Sequence, residues 1–432
     1  MKTLFVALLL GTCIEMQVLA QVSLANNFTV HEWGTFTSVQ GGDGQLLRWR
    51  PLQSSELPAF VHDWGRPGVN VLPQFLMPGG KGGLVTLQRM ETPVIYFYSD
   101  NPLTADVSVG FPKGIITEWY PRPSQIGPAE ISRVGLPTNV PPVDAAASLG
   151  ESRVTWRDLT LIPPAEASLS GRLLADNHGR NYFAARKTSS DFVQTRPVDG
   201  TNETEKFLFY RGAGSFTTPL QVTVDGNRFS LSNHGPEPLG HLFLLRVRDG
   251  YGEFAPLASL PSGQTNWQTD WDGTLEGGWQ RFPLAKFPDA IGAQMETALV
   301  RAGLYKKEAW AMVNTWRDSW FTEAGTRVLY LLPRAWTDGI LPMTLTPEPA
   351  QLVRVMVGRA EIITPDVPVQ LRALLTRATS GDSAARQQAG QTIKKLGRFA
   401  LPTLALTFAN DSTNAVAELG GHLLVEAMYP GK

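Results

Sequence analysis

The sequence predicts an α+β fold: a β-sandwich-rich body, a helical hairpin inserted into it and an all-helical C-terminal tail. Three observations point there. From about residue 28 to 285, short apolar runs alternate with turn residues. Near Asp289 the apolar period becomes helical, and after Thr346-Pro347 it is read as helical to the end. The 32 prolines and 41 glycines are spread between the apolar runs, as in a turn-rich β protein.

The first twenty residues, MKTLFVALLLGTCIEMQVLA, read as an export signal. Lys2 supplies the positive charge, and Leu4 to Leu10 is an apolar run too short to span a bilayer. Val18-Leu19-Ala20 fits the small-residue cleavage rule, so cleavage is predicted after Ala20. A lipoprotein signal at Cys13 ranks second, because Thr12 is a poor neighbour for a lipidated cysteine. No later run is apolar for long enough to be a membrane helix. Cleavage removes the single cysteine, and with it any disulfide, thiolate ligand or cysteine nucleophile. Export without disulfides suits a bacterial periplasm or cell surface.

With 38 basic and 39 acidic residues the net charge is -1. A chain so balanced carries no electrostatic footprint for nucleic acid or anionic lipid. The expected partner is a glycan or another cell-envelope ligand.

Strands are expected at Phe28 to Val39, Thr92 to Tyr98, Ala105 to Phe111 and Gly114 to Tyr120. A proline-rich surface loop follows to about residue 150. Val154 to Ile162 and Lys206 to Tyr210 resume the β pattern. Leu220 to Leu231 reads as a hairpin closed at Asp225-Gly226-Asn227, and Leu242 to Leu257 as a second one. Asp289 then caps a helix that ends at Gly303. Ala309, Met312, Val313, Trp316 and Trp320 mark one face of the next. Thr326 to Leu332 and Ile340 to Leu345 read as strands. Asp382 to Leu396 is an amphipathic helix, and the following turn resembles one HEAT-type repeat. The organisation is therefore a signal at 1–20, a β-rich region at 21–150, a sandwich region at 151–346 with its helical hairpin at 289–320, and a helical region at 347–432.

The stretch TVHEWGTFTSVQG, residues 29–41, carries the first candidate chemistry. On a strand, Val30, Glu32, Gly34 and Phe36 share one face, and His31, Trp33, Thr35 and Thr37 the other. Glu32 then sits among apolar neighbours, where a carboxylate needs a partner or becomes neutral. Glu91 opens the strand METPVIYFY, and Glu118 lies in ITEWY, an echo of HEWG. Glu32, Glu91 and Glu118 are candidate catalytic residues of a hydrolase, since two carboxylates across a groove walled by tryptophan are what glycoside hydrolysis requires. The competing expectation is pairing with arginines such as Arg48, Arg50, Arg89 and Arg122, because ion-pair networks perturb carboxylates as active sites do.

His31 is the candidate metal ligand. None of the six histidines forms a tight ligand pair, and zinc needs three or four converging groups. Asp270 to Glu276 looks like a calcium loop but lacks the glycine spacing and distal glutamate of an EF-hand. There is no nucleophile elbow, Walker A or dinucleotide fingerprint, and no cofactor is expected. The glycine run 79–83 reads as a flexible loop. Trp267, Trp271 and Trp279 lie in a Gly/Asp/Gln-rich segment and are the candidate ligand-binding residues, because exposed rings beside amides and carboxylates hold sugars. Equally, such rings fold back over a sheet edge.

VHEWGTFTSVQG, METPVIYFY, ITEWYP, KFLFYRG and the run from Glu308 to Arg359 together resemble a set of uncharacterised exported bacterial proteins with a HEWGTFT-type opening. The resemblance covers nearly the whole mature chain. It implies export and one shared architecture, and it carries over no catalytic residue. The expected function is a non-catalytic cell-envelope binding protein with carbohydrate as the favoured ligand. The alternative is a carboxylate- or metal-dependent hydrolase built on Glu32, Glu91 and Glu118.

Overall fold

The structure is a computed structural model that describes residues 27–52, 57–65, 83–127, 152–165, 181–196, 202–248, 250–263, 267–270, 278–409 and 414–428. The expected signal, Trp271, most of the glycine run 79–83 and most of the calcium-like loop lie outside these residues.

The fold is α+β, organised on one ten-stranded sheet. In chain order its strands are β1 (Thr29–Gly41), β2 (His62–Asp63), β3 (Gln88–Tyr98), β4 (Gly114–Tyr120), β5 (Leu208–Gly214), β6 (Leu239–Arg248), β7 (Tyr251–Leu260), β8 (Gln280–Pro283), β9 (Gly325–Leu331) and β10 (Gln351–Ile363). Across the sheet they run β8-β7-β6-β9-β10-β1-β3-β5-β4-β2. The parallel pair is β1 with β10, in register from Thr29 with Gln351 to Gly41 with Ile363. The opening stretch is thus a central strand, fully flanked by β3 and β10. Strands from before and after residue 150 share this one sheet.

One face of the sheet packs on two smaller sheets. Val30, Phe36, Met90 and Ile95 meet Val107, Val109 and Trp156 of a six-stranded sheet, and Val222 and Leu231 of a three-stranded one. This is the expected sandwich. The other face packs on the helical hairpin α1 (Phe287–Arg301) and α2 (Lys306–Phe321). Trp33, Val94 and Tyr96 meet Ile291, Met295, Met312, Val313 and Trp320 there.

Both hairpins form where expected. Asp225 faces Arg228 across Gly226, whose φ of 55° suits the tight turn. Helix α1 begins differently: Pro288 sits in its first turn, Asp289 is not its cap, and Asp289 instead pairs with Arg317 of α2 at 2.5 Å.

Two expectations near the C-terminus are corrected. Residues 334–340 form a short helix, α3 (Arg334–Ile340), and the strand after it, Met343–Thr346, joins the six-stranded sheet through Leu103–Phe111. The helical region does not begin at 347. Residues 351–363 are β10, and helices start only at α4 (Asp366–Thr379), followed by α5 (Ser383–Leu396), α6 (Ala400–Phe408) and α7 (Asn414–Met428). Arg354, Arg359 and Glu361 interrupt the apolar pattern of β10 and gave it a helical look. Pairing with β1 and β9, and ion pairs for each of those charges, make it a buried strand. The tail packs on its own small core of Leu371, Leu375, Ile393 and Leu404. It meets the sheet where Phe399 and Leu406 cover Val39, Trp49 and Ile363.

Candidate functional site

Strand alternation decides which candidates meet. Glu32 lies on the sandwich face of β1. Its carboxylate accepts a 2.6 Å hydrogen bond from Arg354 Nε and another from the Tyr210 hydroxyl. Arg354, directly opposite in β10, also donates to Asp338 at 2.7 Å and to the Leu341 carbonyl at 2.8 Å. Glu32 is fully buried and paired with an arginine. It is a structural ion pair, and it does not join Glu91 and Glu118.

His31 faces the helices. Its Nδ1 shares a 2.8 Å hydrogen bond with Glu308 Oε2, and its ring stacks 4.4 Å from that of Tyr305. Glu308 also accepts from the Tyr98 hydroxyl at 2.7 Å and from the Tyr305 backbone N–H at 2.7 Å. Glu308 is the third residue of α2, so this cluster fixes the start of that helix to the sheet. Among the described residues no group of three His, Cys, Asp or Glu side chains converges to hold a metal. His62 pairs instead with Glu203, and His234 with Gln221.

Glu91 and Glu118 do meet, within one band of charge on the helix-facing side. Glu118 pairs with Arg211 of β5 at 2.5 Å. Glu91 lies 3.0 Å from Arg89 Nη1 and 3.7 Å from Arg398 Nη1. Farther along, Arg359 bridges Glu323 at 2.6 Å and Glu361 at 2.5 Å, and Arg327 holds Glu361 at 2.7 Å. Arg398 of the tail reaches Glu323 at 2.9 Å.

Beside this band is a cavity of about 260 Å³. The sheet lines it with Arg89, Glu91, Thr92 and Arg211. Thr315, Trp316 and Ser319 of α2 form the opposite wall, and Glu323, Tyr182 and Arg398 close it. The backbone here is irregular. The β1–β3 ladder shifts register between Trp33 and Thr35, and the β5 ladders shift on both sides at Gly212. Thr92, a β-branched residue, has a φ of 49°, a left-handed conformation that costs energy and is retained where the surroundings enforce it. Such bulges re-aim side chains and cluster beside functional sites. They also explain Gly34 of the opening motif: a Cβ there would lie 2.9 Å from Pro93 Cα, against the bulge.

The groups around the cavity are poorly satisfied. Among the described residues, both oxygens of Glu91, Arg89 Nε, Arg398 Nε, Thr315 Oγ1 and Trp316 Nε1 are buried without a hydrogen-bond partner. So are Thr35 Oγ1 and Thr37 Oγ1 on the adjacent face of β1. Buried polar groups are ordinarily hydrogen-bonded, and those beside a cavity are the ones that water or a ligand can reach and satisfy.

Electrostatics agree. Burial raises the Glu91 carboxyl, but Arg89, Arg398 and Arg359 outweigh it and hold it below its ordinary value. Burial likewise raises Glu323, and Arg359 and Arg398 bring it to about 2. Arg89 is itself pushed down to about 10, first by burial and then, against the pull of Glu91, by Arg211 and Arg398.

Of the three candidate tryptophans, Trp271 lies outside the described residues and the other two are not fully exposed. Trp279 is buried, and its Nε1 donates to Thr269 Oγ1 at 3.0 Å. Trp267 is half-buried and packs on the sandwich core. Trp267 opens a strand of the three-stranded sheet and Trp279 packs against that strand, since burying apolar area outweighs solvated exposure. Trp320 is core as expected, but Trp310 is exposed and Trp316 lines the cavity. Arg211, Thr315, Trp316, Glu323 and Arg398 were missed by sequence reasoning. The one available signal was Arg211 ending the apolar run FLFYR; Arg398 in a Gly-Arg-Phe turn gave none.

No family model matches the chain, and no curated protein matches it. Among solved structures, the chain is similar to the Fcho1 Mu homology domain of Danio rerio with a bound Eps15 peptide. The match has 8% identity and a TM-score of 0.30, covering 79% of this chain and 100% of that one. A likeness that loose bears on neither ligand nor partner. No helix among the described residues is long and apolar enough to cross a membrane.

Proposed function

We propose that this chain is an exported cell-envelope binding protein, with a sugar as the favoured ligand, and that its ligand enters the cavity between β3, β5 and α2. The observation that carries this reading is the group of buried, unpartnered donors and acceptors around an otherwise formed cavity. Hydroxyl-rich molecules satisfy such groups in both directions, since each hydroxyl donates and accepts. The half-buried Trp316 offers a ring on one wall. At about 260 Å³ the space is below that of drug-sized sites and suits a single sugar ring. The tryptophan segment at 267–279 is not needed for this reading.

A hydrolase on Glu91 and Glu118 is the weaker alternative. Glycoside hydrolysis needs one carboxyl kept protonated near neutrality. Glu91 is held down by arginines and so is not poised to donate a proton, and Glu118 is engaged in its ion pair with Arg211.

The test is calorimetric titration of the purified chain with a panel of neutral and charged monosaccharides, repeated on Ser319→Trp, which fills the cavity from α2. Binding by the native chain and none by the filled variant supports the site. Equal binding by both places the ligand elsewhere and ends this reading.

A further inference from the structure

We propose that the cavity selects an acidic ligand, with the anionic group held between Arg89 and Arg398 and a hydroxyl or amine donor held by Glu91. The inference rests on the binding reading above and adds the chemical class: a carboxylate-bearing, sugar-sized molecule.

Charge count is the first support. The band holds Arg89, Arg211, Arg327, Arg359 and Arg398 against Glu91, Glu118, Glu323 and Glu361. Each of the five has a carboxylate at hand, but Arg398 has none to itself: it shares Glu323 with Arg359 and Glu91 with Arg89. Arg89 and Arg398 both crowd one oxygen of Glu91, at 3.0 and 3.7 Å. Among the described residues the band thus carries one more positive than negative charge, where burial makes an excess expensive. A monoanion neutralises it.

Geometry is the second. Arg89 Nε and Arg398 Nε are buried donors without acceptors, and both side chains line the cavity. They reach it from different parts of the fold, β3 and the turn at 397–399 that precedes α6. A carboxylate or phosphate between two guanidinium groups receives charge-assisted hydrogen bonds from both. Thr315 Oγ1 and Trp316 Nε1, on the facing helix, supply two more unpartnered donors.

Glu91 is the third. Its two oxygens accept no hydrogen bond among the described residues. It stays ionised, since Arg89, Arg398 and Arg359 together outweigh the effect of its burial. A simple inorganic anion would leave those oxygens empty and add repulsion. A molecule carrying both an acid and neighbouring hydroxyl or amine donors satisfies both halves of the site.

The experiment is titration of the full chain with D-glucuronate, D-glucose and inorganic phosphate, at low salt and again at raised salt. Glucuronate should bind at least about tenfold more tightly than glucose, with the margin shrinking as salt rises. Arg398→Gln should remove that discrimination. Arg89→Lys should keep more of it than Arg89→Gln, and circular dichroism confirms folding of each variant. Glucose binding as tightly as glucuronate overturns the acidic inference and leaves the sugar reading standing. Phosphate binding that depends on Arg398, without any sugar binding, keeps the anion site and overturns the sugar reading. Binding of none of the three by the folded chain overturns both.

Discussion

Glu32 and Glu91 sit on neighbouring strands of one sheet, both fully buried, yet they do opposite things. Glu32 faces the sandwich, where Arg354 and Tyr210 satisfy it, and Asp338 and the Leu341 carbonyl take up further Arg354 donors. Glu91 faces the helices, beside a bulge and a cavity, and its oxygens accept no hydrogen bond among the described residues. Burial alone therefore does not separate a structural carboxylate from a functional one. Satisfaction of the carboxylate itself does: both Glu32 oxygens accept hydrogen bonds, and the donor left over in that pair is Arg354 Nη2, not an oxygen of Glu32.

The largest expected effect breaks the closed side. Arg354→Ala strands Glu32 in an apolar environment and should cost about 3–5 kcal/mol, read by denaturant unfolding. Glu32→Leu combined with Arg354→Met should recover much of that loss, since an apolar pair of similar size needs no compensation. If the single change is nearly neutral, the pair is not the closed unit described. On the open side, Glu91→Gln should cost less, about 1–3 kcal/mol, because cavity water replaces part of what is lost. A larger loss than that of Arg354→Ala would erase the contrast.

Acid titration sharpens the same comparison. Glu323 and Glu91 are held below their ordinary value of 4.5 in the folded chain. The unfolded chain therefore binds more protons below that pH, and folding is penalised there. Their contribution is whole above pH 4.5 and is lost as pH falls toward the Glu323 value of about 2. Removing one of the arginines that depress them, by Arg398→Gln, should move the acid transition in a melting-temperature profile to higher pH. An unmoved transition would mean that the cavity charges are not coupled as described. The smallest effect belongs to Trp310→Ser on the exposed side of α2, expected to stay within about 0.5 kcal/mol. This tryptophan shares its helix with Trp316, so binding should survive the change.

Much of the opening strand was legible. Alternation put His31, Trp33 and Thr35 on one face and Glu32 and Phe36 on the other, and the structure keeps that division. The hairpin at 220–233 and the amphipathic helix from Asp382 to Leu396 were equally local. The partner of Glu32 was not, because Arg354 lies 322 residues away. Nor was β10, whose arginines look out of place in a strand until carboxylates arrive from β1 and the end of α2, beside its own Glu361. The cavity depends on Arg89, Trp316 and Arg398, which come from a strand, a helix and a turn with no common motif.

Local period, turn chemistry and caps act between near neighbours, so the sequence by itself determined most of the strands, the helical hairpin and which face each residue of the opening strand would take. Neutralisation of a buried charge is settled by whatever the fold brings within a few ångströms. The tertiary structure alone therefore decided that Glu32 would be closed by Arg354 and that Glu91 would be left facing a cavity with surplus positive charge.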